Sequence, residues 1–480
     1  MVESRPKLLI VTAVWGRWHI DAFLNLNLPT LMAPGNFPAL AEICDIHYVI
    51  YTNRQDQVEL AESPIISGLN RLMTVEQRLL EDHVLVDPIA AHHLAWERAT
   101  EDAKKSGSLI LMMPPDVAWS DESFGNVGLL MSEGYRAIFM TYLRAEENSF
   151  SATLGAEPKS EDKSLSISSD RMVELCLNCL HPLMAAYLAD SEYFPIHPEM
   201  MIWAVPGEGL LVRVLAREMF LFDPNEIELN KMRLPKEPVS PKNGYFIADS
   251  DQLFGVSLAP VGKDAEWHLT PHQADPVEVG GWWSIYDSGV NDFIVSHHVR
   301  WHFAPVTESK WKDKERLSDL FIRRAAGVRE GIRFWQIAHR LHLPKVAGLL
   351  AVAAQTGIMS RALIGRGEAV AVLLPTESAF RNLPSNQYNE LLTFEGAQKL
   401  SKLIRAHIIM LEDLDALEGD PLLRWAKEGC SSIAGGHGEH EYSMSFDGVV
   451  HIDGYRLLLE PTVSNNFYKV YTLDGILKFE

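Results

Sequence analysis

The first run of the chain has no polar face. Lys7-Leu8-Leu9-Ile10-Val11-Thr12-Ala13-Val14 is continuously apolar and rich in branched side chains, and Trp15-Gly16 ends it. A strand covered by helices on both faces of a parallel sheet reads this way. Helical spacing follows over residues 19–31, and a second strand is expected over 46–52. Residues 87–105 again repeat at helical spacing and lead into an apolar run at 108–113, stopped by Pro114-Pro115-Asp116. A helix is expected over 121–133, with Ser120 as its cap and acids in its first turn, and a strand over 137–141. This alternation predicts a doubly wound α/β sheet.

Ligands of such sheets bind beyond the carboxyl ends of the strands, near the point where the strand order reverses. Those ends carry Thr12, Val14 and Trp15 after the first strand, Tyr51 and Thr52 in the second, and Asp116 after the third. Further along, the Ser-rich stretch 145–170 reads as a surface loop, and a helix over 169–180 stops at His181-Pro182. Residues 193–306 mix short strands and turns, residues 308–342 are helical and charged, and 344–357 form a further helix. No internal repeat stands out. The expected organisation is an α/β domain over 1–306, a helical linker over 307–342 and a last domain over 343–480.

Composition narrows the partners. Among 480 residues, 64 acids against 43 bases give a net charge of −21, which repels phosphate backbones and anionic membranes. The densest basic stretch, Lys310-Trp311-Lys312-Asp313-Lys314-Glu315-Arg316, is largely cancelled by its own acids, so nucleic acid is excluded as a partner. Cys176 and Cys179 have CxxC spacing but lie in an apolar helical stretch with no second pair, which favours buried thiols over a zinc or redox site. With four cysteines, no signal-like leader and no apolar run of about 18 residues, a cytoplasmic protein without a membrane span is expected.

Pro115-Asp116-Val117-Ala118-Trp119-Ser120-Asp121-Glu122-Ser123-Phe124, together with Leu180-His181-Pro182, Phe222-Asp223-Pro224 and Asp249-Ser250-Asp251, resembles GT-A-like glycosyltransferase domains of a bacterial group. In those, a strand ends in a carboxylate and an S-D-G-S-F/L helix start follows. The resemblance implies a nucleotide-sugar donor as substrate, held near Thr12, Val14, Trp15, Tyr51, Thr52 and Asp116. It also implies a carbohydrate or protein acceptor and a divalent cation, Mn²⁺ or Mg²⁺, on hard oxygen ligands. Candidate ligands are Asp116, Asp249, Asp251 and a late histidine, His298 or His302, of the His297-His298-Val299-Arg300-Trp301-His302 run. The second Asp of the usual Asp-x-Asp is missing after Asp116. The catalytic base stays open among Asp116, Asp223, Asp249, Asp251 and Glu199. Gly280-Gly281-Trp282-Trp283, His181 and His197 are weaker candidates for a sugar pocket.

From Ala369, the run Val370-Ala371-Val372-Leu373-Leu374-Pro375-Thr376-Glu377-Ser378-Ala379-Phe380, then Leu383-Pro384 and Leu400-Ser401-Lys402-Leu403-Ile404-Arg405-Ala406-His407-Ile408-Ile409, resembles a fasciclin domain. The resemblance implies an α+β fold, a sandwich of strands with helices, that binds a protein partner, with His407 a buried structural residue. Alternating strands are expected over 442–450, 455–461 and 468–471. His437-Gly438-Glu439-His440 has metal-like spacing but reads as a Gly-rich loop over 434–441.

Overall fold

A computed structural model describes residues 5–81, 83–161, 163–215, 219–229, 235–236, 239, 242–261, 271–285, 291–355, 370–393, 395–410, 432–435, 438–445, 449–464 and 468–478. It is mixed α/β with several sheets. The chain divides into two units, residues 1–274 with 287–316, and residues 275–286 with 317–480.

In the first unit, β1 (Lys7–Ala13) pairs in parallel with β2 (Asp45–Thr52), and β2 with β3 (Thr74–Leu79). On its other side β1 pairs in parallel with β4 (Leu109–Met112). The chain continues through β5 (Val117–Trp119), β6 (Ala137–Phe139), β7 (Leu143–Glu146), β8 (Met200–Val205), β9 (Gly209–Val214), β10 (Leu221–Phe222), β11 (Gly244–Phe246), β12 (Gly255–Ala259) and β13 (Val299–His302). The main sheet has the order β11-β6-β10-β4-β1-β2-β3, with β10 antiparallel to both neighbours. Two smaller sheets, β5-β12-β7 and β13-β9-β8, accompany it.

Period-two alternation sends the two faces of each strand into separate cores. Leu9, Val11 and Ala13 face one core, and Leu8 and Ile10 face the other. Helix Pro88–Ser106 presents Ala91, Ala95, Ala99 and Ala103 to the first core. Alanine at every fourth position makes a flat stripe that lets the helix lie close to the sheet. Asp87 caps its start and Gly107, at φ +65°, closes its end.

Three local readings change. β3 carries Thr74-Val75-Glu76-Gln77-Arg78-Leu79 at the sheet edge, half exposed along most of its length, so it lacks the apolar signal that announces a strand. Within the supposed loop, residues Glu147–Gly155 are helical: Glu146 accepts from the amides of Asn148 and Ser149, and Phe150 and Leu154 are buried four apart. The helix expected over 121–133 spans Ser123–Ser132, so its two acids precede it. Asp121 instead accepts from the Gly35 amide at 2.8 Å, and Asn36 caps the helix from across the chain by accepting from Phe124 N at 3.0 Å.

Glu122 sits at φ +69°, where the resembled pattern has glycine. A side chain in this region costs about 1 kcal/mol. Glu122→Gly is therefore expected to raise the melting temperature of the first unit by a few degrees, which differential scanning calorimetry would register.

His181 is fully buried and does a capping job. Its Nδ1 accepts from Leu183 N at 3.2 Å, so the proton sits on Nε2, which donates to Pro260 O at 3.2 Å. Burial lowers its pKa, aided by the charge of Arg144 and opposed by the Pro260 carbonyl and Glu146. The neutral ring is thus the native form, and the unfolded chain binds the extra proton below about pH 6.5. Its stabilisation is complete above that pH and is lost as pH falls toward the lowered native pKa. Melting temperature should fall from pH 7.5 to 5.5, and by less in His181→Asn, as a thermal scan at each pH would reveal.

The second unit combines helices Pro276–Ile285, Pro344–Gln355, Ser385–Leu391 and Ala397–Ala406 with most of the helix Glu308–Arg340. Its strands are β14 (Val370–Pro375), β15 (Ile408–Met410), β16 (Ser432–Gly435), β17 (Gly438–Met444), β18 (Val450–Ile452), β19 (Tyr455–Ser464) and β20 (Tyr468–Leu473). They follow one another around a closed barrel, since β20 pairs in parallel with β14. The expected sandwich is a barrel, and the expected loop around His437 holds part of the β16–β17 hairpin; His437 itself lies outside the described residues. Thr376 and Ser378 both donate to Asp474, tying the turn after β14 to the end of β20. His407 is 5% exposed, donates from Nδ1 to Leu403 O at 2.8 Å and accepts at Nε2 from Leu477 N at 3.1 Å.

Candidate functional site

The strand order of the main sheet reverses between β1 and β4, so the crevice beyond their carboxyl ends is the place to look for a site. The chain supplies it from several segments. After β1, Trp15-Gly16 leads into helix Arg17–Ala22, which carries His19. After β4, Pro114-Pro115 turns the chain and Asp116 precedes β5. Helix Pro88–Ser106 contributes His92 and Trp96, one helical turn apart, and Tyr142 follows β6. Together these side chains surround a cavity of about 170 Å³. Trp15, His92 and Trp96 form an aromatic cluster, the first pair tilted at 50° and the second edge-on at 78°, with ring centroids 5.7 and 5.0 Å apart.

Asp116 is held by its neighbours before any ligand arrives. Ser257 on β12 donates to its Oδ2 at 3.2 Å, and Leu258 N donates to its backbone carbonyl at 2.9 Å. The turn that presents it is clamped by Asn27, whose amide donates to Pro114 O at 3.1 Å and Val117 O at 2.7 Å. Asn27 ends a π-helical segment, Phe23–Asn27, and such bulges recur at functional sites. Thr12 adds a bond to Met113 O at 3.1 Å.

Burial raises the Asp116 pKa, against the opposing charge of His19, the Ser257 hydrogen bond and Arg144. His19 is exposed, yet partial desolvation against the cavity wall lowers its pKa, with Asp116 pulling it up. A carboxyl perturbed by desolvation and by a specific charge partner, in a cleft with convergent polar and aromatic groups, is a candidate binding or catalytic centre.

The other candidates fall elsewhere. Thr12 is fully buried and bonded to Tyr48 OH at 2.8 Å. Val14 is packed in the core. Tyr51 is 1% exposed and accepts at its hydroxyl from Arg78 at 3.1 Å. Thr52 is fully buried. Of the six donor-side positions, Asp116 lines the cavity and Trp15 reaches it through His92.

Asp249, Asp251 and His302 form a second centre, with one ligand atom from each within 4.8 Å of the others. His302 Nε2 lies 3.2 Å from Asp249 Oδ1 and 3.5 Å from Asp251 Oδ2. The hydrogen bond to Asp249, with both carboxylate charges, raises the His302 pKa against its burial. Burial opposes ionisation of Asp249, but His302, the Asp251 amide and Arg300 together hold its pKa below the ordinary value. Two carboxylates and an imidazole suit Mn²⁺ and leave coordination positions open. His298 is not in this group: it sits 2.9 Å from Arg213.

Nor is Asp116. The ligand atoms of Asp249, Asp251 and His302 gather without it.

Asp223 is occupied in its own turn, accepting from Asn225 N at 2.9 Å. Trp282 and Trp283 belong to the second unit, where Trp283 lies under the Arg329 guanidinium at 4.2 Å. His19, Asn27, His92, Trp96, Tyr142 and Ser257 are absent from the sequence reading. His92 and Trp96 carried a usable signal, aromatic residues four apart near the start of an expected helix; Ser257 carried none.

No protein-family pattern matches the chain, and no curated protein sequence does. Among the solved structures that are similar over part of it are two of different kinds. One is a FAS1 domain pair from the insect cell adhesion molecule fasciclin I, at 8% identity over 58% of this chain and 66% of that chain, with a TM-score of 0.21. The other is described as a glucose-1-phosphate thymidylyltransferase from Bacillus anthracis in complex with a sucrose, at 14% identity over 30% of this chain and 57% of that one, with a TM-score of 0.18. The matched region spans less than two thirds of either protein. No described helix is long and apolar enough to cross a membrane.

Proposed function

We propose that the first unit is a glycosyltransferase that binds a nucleotide sugar in the cleft around Asp116. The observation that carries this reading is a desolvated carboxyl that accepts from Ser257, on a turn clamped by Asn27, beside an aromatic cluster at the strand-order reversal. The His92 and Trp96 rings that line the cavity offer a stacking face to a nucleobase. The cavity, about 170 Å³, is smaller than the roughly 300–1,000 Å³ of a whole-ligand pocket, so the donor extends out of its mouth. A divalent cation, where bound by Asp249, Asp251 and His302, would neutralise phosphate charge. This chain's own residues do the rest: His92 and Trp96 stack and exclude water, and Asp116 with His19 orients polar groups or moves a proton between them.

The second unit, in this reading, is fasciclin-like and holds a protein partner or the acceptor. Cys44, Cys176 and Cys179 are free and buried, which suits a reducing cytoplasm. A non-catalytic scaffold is the second reading, favoured by the separation of Asp116 from the Asp249 centre.

Thermal-shift screening against UDP-, GDP-, CMP- and dTDP-sugars, each with and without Mn²⁺, tests the two. A ligand that binds only the native state raises the melting temperature with its occupancy. The transferase reading expects one donor to do so; no shift from any donor would leave the scaffold.

A further inference from the structure

A second cleft, of about 390 Å³, opens on the other face of the helix that carries His19. Helix Arg17–Ala22 and the π-helical turn after it place Trp18, Asp21 and Asn25 on one side. Helix Glu147–Gly155 places Glu147, Asn148 and Ser151 opposite. Buried Leu165 and Leu258 contribute apolar surface to the cleft.

The Trp18 indole is half-buried, and its Nε1 donates to the Glu147 carboxylate, which fixes the ring plane. Asp21 is paired with Arg17. A fixed indole face bordered by carboxylate and amide groups matches a sugar ring, whose C–H face is apolar and whose edge donates hydroxyl hydrogen bonds. With Asp21 paired to Arg17, and Glu147 set against Lys159, the cleft carries no surplus of positive charge to draw an anion.

The cleft also adjoins the Asp116 site. Trp18 and His19 are consecutive, and Leu258, which lines the cleft, donates its amide to Asp116 O.

We infer that this cleft binds a neutral saccharide through Trp18, Glu147 and Asn148. Binding stands on its own residues; the further assignment of that saccharide as the acceptor rests on the transferase reading.

The test is titration of the full chain with maltotriose, cellotriose, chitotriose and trigalacturonate, followed by intrinsic tryptophan fluorescence and calorimetry. At least one neutral trisaccharide should bind at a millimolar Kd or tighter, and trigalacturonate should not. Trp18→Ala should weaken that binding at least about tenfold and Asn148→Ala about threefold, while His92→Ala leaves it unchanged. Asn148 is exposed, so its variant remains informative if Trp18→Ala misfolds. Absence of binding by every neutral trisaccharide at about 10 mM, or unweakened binding in both cleft variants, overturns the inference. Saccharide binding without any nucleotide-sugar shift would retain this subsite and remove the transferase reading; the opposite pattern would retain the transferase and remove the subsite.

Discussion

Asp116→Ala is expected to abolish the thermal shift given by the stabilising nucleotide sugar and to lower its affinity by about 100-fold. The reason is local. The carboxyl stands where three elements converge, and its burial means that any cationic or hydrogen-bonding group of a ligand meets it with little screening. Losing a charged hydrogen-bond partner in such a place costs about 2–4 kcal/mol. The apo protein should be no less stable, because burying the ionised carboxyl opposes folding. Ser257→Ala and Asn27→Ala leave the charge but loosen its placement, so each should weaken donor binding by less. Isothermal titration of the three variants measures the order. An Asp116→Ala protein that binds the donor like wild type would remove Asp116 from the site.

The largest stability effect is expected in the second unit. Arg329 is 1% and Glu330 5% exposed, and Arg329 Nη2 lies 2.6 Å from Glu330 Oε1. Arg333 adds a contact to the same oxygen at 3.2 Å, and Trp283 lies under the Arg329 guanidinium. Removing Glu330 takes a buried carboxylate from both Arg329 and Arg333, and breaking a buried ion pair in this way costs about 3–5 kcal/mol. Glu330→Ala should therefore lower the melting temperature of the second unit by roughly 6–20 °C, on the usual scale of about 2–4 °C per kcal/mol for a domain of this size. Replacing Arg329 and Glu330 together with Met and Leu should recover much of the loss, because both desolvated charges then disappear. Scanning calorimetry of the two variants decides it; a Glu330→Ala transition within a degree of wild type would contradict the account.

The close approach of the neighbouring helices explains why this group is so tightly held. A Cβ on Gly280 would stand 2.2 Å from Ala325 O, and one on Gly331 2.4 Å from the Ala354 Cβ. Bare glycine surfaces let the helices meet with little room for water around the charged pair.

What was legible in the sequence follows from how each element is buried. β1, β2 and β4 are covered on both faces, so continuous apolar runs announced them. β3 lies at the edge and is held by backbone pairing to β2, which leaves no side-chain pattern. Helix Glu147–Gly155 was masked by serines, although Glu146 and the Phe150/Leu154 pair carry its capping and packing signals. In the barrel, strands as short as three residues and a hairpin rich in glycine resemble loops until their partners are known.

The site divides in the same manner. Asp116 was visible because a Pro-Pro turn after a greasy strand ends in a carboxylate. Asp249 and Asp251 share a short motif, and His302 was one of two histidines offered for it. The residues that position Asp116 come from distant points, Asn27 from a π-helical turn and Ser257 from β12, and only the folded chain brings them together. Trp282 and Trp283 illustrate the converse: a conspicuous aromatic motif that serves the interior of the second unit.

The measurement that bears most directly on the central claim is a crystal structure of the protein saturated with whichever nucleotide sugar stabilises it. The account predicts the base stacked on the face of the His92 or Trp96 ring, with a polar group of the donor in contact with Asp116. A donor bound only at Asp249, Asp251 and His302, with the Asp116 cleft empty, would contradict it.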